Sequence, residues 1–255
     1  MLDYLDEQTA YLLGMLFGRG KLVEQGNVRW VIVTVKIRRE APNSPPVNEP
    51  GLPCELRQQL QELNNLSMSL ENERSINRLR EQLVELLEGN VDVISSPDGR
   101  KVELRVGYFR KNLIWRNLKL LCGEGTDHGD FILAKHVLEA EEPLLKNFLR
   151  GFADVAVTPS YADRDQAKRI RIAFPVVHRN RKFAYDLLRI FQRLGVAAKL
   201  LEGIPEKRGP KGKKEHRIRV YAEDYEAIGF HFEHKQKILK VFAAWNRWKQ
   251  GIRGH

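Results

Sequence analysis

Apolar residues along the chain switch between helical and alternating spacing, and each switch predicts an element. Leu12, Leu13, Leu16 and Phe17 recur at helical spacing, with Thr9 placed to cap the helix and Gly18 and Gly20 to break it. After a Gly-Asn turn, Val31, Val33, Val35 and Ile37 fall on one face of a strand, and Trp30, Thr34, Lys36 and Arg38 on the other. Ala41 to Pro53 holds five prolines and reads as a loop or linker. Helical spacing returns from Cys54 to Gly89 with a break near residues 67–72, and Ile76, Leu79, Leu83 and Leu86 share a face. A second hairpin turns at Pro97-Asp98-Gly99, with Val102, Leu104 and Val106 inward and Lys101, Glu103 and Arg105 outward. A helix through "LIWRNLKLL" ends this half.

Beyond a connecting segment, residues 126–143, the order restarts. Leu144 to Asp154 reads as a helix and "VAVTPSYA" as extended chain. Next comes a strand with Arg169 and Arg171 opposite Ile170 and Ile172. The helix "NRKFAYDLLRIFQRLG" follows, then a hairpin ending in "EHRIRVYA" and a last helix. Both halves, residues 1–125 and 144–255, therefore read helix, two strands, helix, two strands, helix. A period this long with mixed elements implies an internal duplication and an α+β fold of two pseudo-symmetric αββαββα half-domains. The proline loop 41–53 and the helical segment after it are an insert in the first.

Charge narrows the choice of partner. Of 255 residues, 43 are Lys or Arg and 33 Asp or Glu, a net charge of +10 that favours a polyanion. The two cysteines, Cys54 and Cys122, have neither metal-ligand nor disulfide-framework spacing, as suits a reducing compartment. No basic, then apolar, leader opens the chain and no stretch is long and apolar enough for a membrane span, so a cytoplasmic location without membrane contact is expected. "GRGK" lacks the spacer of a phosphate-binding loop, and His231 and His234 are too few for a zinc site.

The repeated order, opened in each half by a glycine-bearing helix ("LLGMLFGRG" and "LRGFADVAV"), resembles the single-chain LAGLIDADG homing endonuclease family. That resemblance implies two motif helices packed side by side, with Gly14, Gly18 and Gly151 at their contact. It also implies two four-stranded antiparallel sheets forming a saddle along the major groove of duplex DNA. The family places a metal-binding acid at the penultimate position of each motif. Here those positions hold Arg19 and Ala156, while Asp154 matches the motif's other acid. Arginine cannot ligate a metal and would repel magnesium, and alanine has no ligand to offer. On this alignment the cleavage centre is absent and no cofactor is expected.

Donors at strand spacing remain, and these are what groove and phosphate recognition needs. The expected contacts are Trp30, Thr34, Lys36 and Arg38; Lys101 and Arg105; Arg169 and Arg171; and Arg217, Arg219 and Tyr221. Glu103 is the one acid within those strand sets. The loop "IPEKRGPKGKKEHR" adds Lys207, Arg208, Lys211, Lys213 and Lys214. The leading expectation is a monomeric duplex-DNA-binding protein that does not cut. It would position a nuclease, a modification enzyme or a transcription partner. The alternatives are a Mg2+-dependent endonuclease using Asp154 with Glu24, and an RNA-binding splicing factor of the intron-maturase kind. A further possibility is a subunit that docks through Trp245, Trp248 and the helical insert.

Overall fold

A computed structural model describes residues 5–109, 112–205 and 214–252. Helix α1 (Glu7–Arg19) leads into strands β1 (Gly20–Gln25) and β2 (Val28–Lys36), and helices α2 (Cys54–Asn64) and α3 (Met68–Leu87) follow. Strands β3 (Val91–Ser95) and β4 (Lys101–Phe109), helix α4 (Leu113–Leu121) and the short α5 (Lys135–Leu138) come next. The second half is α6 (Glu142–Ala156), β5 (Arg171–Val177), α7 (Arg181–Arg193), β6 (Ala198–Pro205), β7 (Lys214–Tyr221), α8 (Ala222–Tyr225) and α9 (Glu233–Gly251). The fold is α+β, with two antiparallel sheets ordered β1-β2-β4-β3 and β5-β7-β6.

The cap of α1 is Asp6, whose carboxylate accepts the Thr9 N–H at 2.7 Å; Thr9 itself is buried in the first turns. An acid there also suits the positive end of the helix. Gly18 does not break α1, which continues to Arg19 with Gly20 as its C-cap.

Four strands form the first sheet; among the described residues the second has three. "VAVTPSYA" does not become the fourth strand because its backbone bonds go elsewhere. Helix α6 runs through Ala156, and the Val157 N–H still bonds the Ala153 carbonyl at 3.0 Å. Pro159 has no N–H, and the Tyr161 N–H goes to Asn43 of the proline-rich loop at 2.9 Å. A single bridge, Arg164 to Ile170, is the remnant of that pairing. Strand β5 is thus an edge, the position where its Pro175 is tolerated.

Two segments read as linkers are stitched into the body. In the loop 41–53, Glu49 accepts from Lys249 at 2.6 Å and Lys168 at 3.2 Å. Trp245 is fully buried and its indole donates to the Lys168 carbonyl at 3.1 Å, while the Lys249 ammonium lies 4.3 Å from the Trp248 ring. Trp245 is therefore an interior anchor, not the docking residue allowed for above. The insert helices α2 and α3 pack against α9 of the other half. In the connecting segment, Thr126 accepts the Leu22 N–H at 2.8 Å and His128 donates to the Gly20 carbonyl at 3.0 Å.

Candidate nucleic-acid interface

Helices α1 and α6 cross in backbone contact. A Cβ on Gly14 would overlap the Phe148 carbonyl oxygen, and one on Gly151 would overlap that of Tyr11. On Gly18 it would lie 2.6 Å from Val155 Cγ2 and 3.4 Å from the Ala156 methyl. These three glycines bring the last turns of both helices together, with β1 starting at Gly20 directly after α1.

The foot of this helix pair is cationic. Arg19, half-buried, donates from Nε to the Val155 carbonyl at 3.0 Å. Lys235 of α9 donates to the carbonyls of Ala153, Asp154 and Val157 at 3.2, 2.5 and 2.6 Å. Cations suit these exposed C-terminal carbonyls. Burial weakens the hold of Lys235 on its proton, and Asp154 opposes that effect.

Asp154 is fully buried and accepts from the Tyr11 hydroxyl at 2.8 Å and from the backbone N–H groups of His231 and Phe232 at 3.2 Å each. Burial raises its pKa to about 6 against the pull of Lys235 and these donors. Its two oxygens are thus committed to the protein's own donors. Glu24 lies on β1, half-exposed, and accepts from Arg29 at 2.8 Å. A divalent cation does not fit this donor set: Arg19 brings like charge, Ala156 brings no ligand, and Asp154 and Glu24 are engaged in separate places.

The open face of the first sheet is graded. At its inner end, near Gly20, lie Lys21, Thr34, Lys36 and Lys101, with Lys36 and Lys101 directly paired across β2 and β4. Arg38, just past β2, turns aside to donate to the Pro159 carbonyl at 3.3 Å. Arg105 is held by Glu103 on its own strand and faces Asp92 of β3. The outer end is aromatic. The Trp30 ring lies over Gly107, where a Cβ would sit 2.9 Å from Cζ3, and Phe109 is 83% exposed.

The open face of the second sheet is organised by its central strand. Tyr221, Arg219, Arg217 and Glu215 follow one another along β7 and sit opposite Arg171, Ala173, Pro175 and Val177 of β5. Lys199 of β6 completes the Arg219 rung, a cation the sequence reading left out although it alternates with apolar neighbours. Ala173 and Pro175 are small, but Arg217, expected as a contact, is buried at 6% exposure against Glu215, so on β7 Arg219 and Tyr221 are the expected contacts left partly open. Arg169 precedes β5 rather than lying in it, and its guanidinium stacks 3.6 Å from the Tyr221 ring.

Acids temper this face more than the strand spacing suggested, which corrects the reading of Glu103 as its one acid. Glu223 takes Arg169 at 2.5 Å, Asp165 takes Arg171 at 3.5 Å, and Glu215 takes Arg217. Burial opposes ionisation of Asp165, but the Arg169 N–H and the Tyr221 hydroxyl override it and keep its pKa low. Arg219 differs. Its buried Nε has no hydrogen-bond partner, and burial with the nearby Arg217 and Arg171 lowers its pKa against the pull of Asp163. Of the basic loop, Lys207, Arg208, Lys211 and Lys213 lie outside the described residues, and Lys214 is exposed at the start of β7.

No family model and no curated protein matches the chain. Among solved structures it is similar to the homing endonuclease I-DmoI in complex with DNA and Mn, at 15% identity over 94% of this chain and 98% of that one, with a TM-score of 0.44. It is also similar to full-length DUF199/WhiA from Thermatoga maritima, at 9% identity over 99% of this chain and 62% of that one, with a TM-score of 0.48. The N-terminal LAGLIDADG domain of DUF199/WhiA gives 9% identity over 95% of this chain and 85% of that one, with a TM-score of 0.43. Likeness at this level assigns the chain neither a family nor an activity. No helix among the described residues is long and apolar enough to cross a membrane.

Proposed function

We propose that the protein is a monomeric, cytoplasmic duplex-DNA-binding protein built on a degenerate LAGLIDADG-like frame. It holds its target across the open faces of both sheets without cutting it, and positions a partner protein such as a nuclease, a modification enzyme or a transcription protein. The observation that carries this reading is the cluster of Arg171, Arg219 and Lys199 on adjacent rungs beside Ala173, with Arg171 and Arg219 half-buried and Lys199 exposed. Guanidinium groups at strand spacing reach guanine edges in a major groove. Asp165 holds Arg171 in place before DNA arrives. Trp30 and Phe109 suit apolar contact with thymine methyls. The donor set at the helix feet supports the absence of metal-dependent cleavage.

Charge reversal tests the face. Arg219→Glu and Arg171→Glu should each weaken duplex binding at least about tenfold, the loss expected for one charged hydrogen-bonded contact. Fluorescence anisotropy against a duplex pool reads this directly, and unchanged affinity in both variants rejects the face. A second reading, RNA binding in a splicing complex, is favoured by one observation. An exposed Phe109 beside a half-buried Trp30 on adjacent strand rungs suits stacking of unpaired bases. Preference for structured RNA over duplex DNA at equal salt would select it.

A further inference from the structure

We propose that the outer edge of β3 is a docking site for a partner protein, which adds an extended segment of alternating apolar and basic residues there as a further strand; this rests on the reading above in which the protein positions a partner. The other sheet edges are protected. Strand β1 is covered by the connecting segment, with Lys21 bridged to Asp127 and the Leu22 N–H bonded to the Thr126 carbonyl at 2.8 Å. At the start of β5 the Arg171 N–H is taken by the Asp163 carbonyl at 2.7 Å, and Pro175 interrupts the rest. Strand β6 is broken by a register shift between Leu201 and Ile204. Each device stops an edge from recruiting another strand.

Strand β3 has none of them. It ends the order β1-β2-β4-β3, and among the described residues it pairs with β4 alone, in unbroken register and with no proline or lysine. Five residues is an ordinary strand length, so shortness does not disarm it. Its main chain therefore offers N–H and C=O groups to an added strand, with apolar side chains on both faces. Val93 lies opposite Leu104 on the helix-covered face yet is 44% exposed. Ile94 lies opposite Glu103 on the open face and is 41% exposed. Val84 of α3, the helix that packs on β3, is exposed as well.

Charge specifies the occupant. Residues 80–95, from the last turns of α3 through β3, hold four acids, Glu81, Glu85, Glu88 and Asp92, against one cation, Arg80, in a chain whose net charge is +10. Arg105, opposite Asp92 on β4, is held by Glu103. This negative stretch repels nucleic acid, disfavours a second copy of the same edge and draws a cationic segment. An added strand gains affinity from main-chain hydrogen bonds and specificity from alternate side chains. Its residue beside Val93 meets apolar surface and the next, beside Asp92, meets a carboxylate, so apolar residues alternating with Lys or Arg match the edge. Strand addition extends the sheet sideways and leaves the open faces to DNA.

The test selects short random peptides displayed on phage against the full chain, with Val93→Lys as the counter-selection, and remakes the enriched peptide as a synthetic probe. Enriched sequences should alternate apolar residues with Lys or Arg and lack proline. The synthetic peptide should protect the backbone amides of Val91 to Ser95 from hydrogen exchange. Val93→Lys, and Glu81→Gln combined with Asp92→Asn, should each weaken it at least about tenfold. These positions are exposed, so the variants keep the core. An acidic or proline-rich consensus, or protection confined to other residues, overturns the proposal. So does a concentration-dependent dimer of wild type that Val93→Lys abolishes, which would assign the edge to a second copy. Duplex binding is read on the same preparation. If wild type binds duplex DNA and no such peptide is enriched, the docking edge is rejected while the DNA reading stands. If the peptide binds as expected and duplex DNA does not, the edge stands and the DNA reading falls.

Discussion

Asp154 carries four partners: the Tyr11 hydroxyl, two backbone N–H groups and the field of Lys235. Removing the carboxylate leaves buried donors and a buried ammonium without compensation, a loss of about 3–5 kcal/mol when one partner of a buried pair is deleted. Asp154→Ala should therefore fall in that range by urea unfolding, and folded Asp154→Asn should bind DNA as wild type does. His234 gives a pH signature. Burial, reinforced by Lys235 and Lys237, lowers its pKa from 6.5 to about 3. As pH falls below 6.5 the unfolded chain takes up a proton that the folded one refuses, so stability drops down to about pH 3. Each such proton is worth about 1.4 kcal/mol per pH unit. Asp154 works in the opposite sense, because its raised folded value favours the native state at low pH. The difference between wild type and His234→Gln isolates the histidine. The variant's stability should fall less steeply between pH 6.5 and 4, and parallel profiles would contradict this assignment.

Glycine decides the helix pair. Gly14→Ala and Gly151→Ala press a methyl into a facing backbone carbonyl, which cannot move aside, so each should lose about 3 kcal/mol or more despite the better helix propensity of alanine. Gly18→Ala meets a valine methyl first and should lose less. Thermal unfolding of the three variants gives the order. These contacts were expected only from the resemblance of the two glycine-bearing helices to the LAGLIDADG family; the residue pattern alone read Gly18 as a breaker. The hairpins and the long helices were legible from period alone. The missing fourth strand was not, since "VAVTPSYA" has strand composition and its N–H groups are diverted by a loop more than a hundred residues earlier in the chain, a rough count from Asn43 to Tyr161. The same non-local contacts hid the role of Trp245 and turned the proline-rich segment from a linker into a strap. At the site, outward positions on β2, β4 and β7 followed from alternation. The counter-acids Asp165 and Glu223 and the buried Lys235 did not, because their partners come from other elements.

For the whole molecule, the net charge of +10 is distributed unevenly in its effect. Much of the arginine on the second sheet is paired with acids of its own half, whereas exposed Lys36 and Lys101 sit opposite each other at the inner end of the first sheet. Binding should therefore respond more steeply to salt when inner positions are intact than when only the outer ones are. Lys36→Gln with Lys101→Gln should reduce the salt slope by about 1.8, two phosphate contacts' worth, with little change in sequence preference. Isothermal titration across a salt series measures it, and a changed preference with an unchanged slope would assign these lysines to bases instead. The central claim is binding of a particular duplex without cleavage. Its most direct test is to incubate the protein with a randomised duplex pool at physiological salt with magnesium, then sequence the retained molecules. The account predicts enrichment of one extended site with every retained strand intact. Enrichment accompanied by nicked or cut strands would contradict the inactive centre, and no enrichment would contradict sequence-specific duplex binding itself.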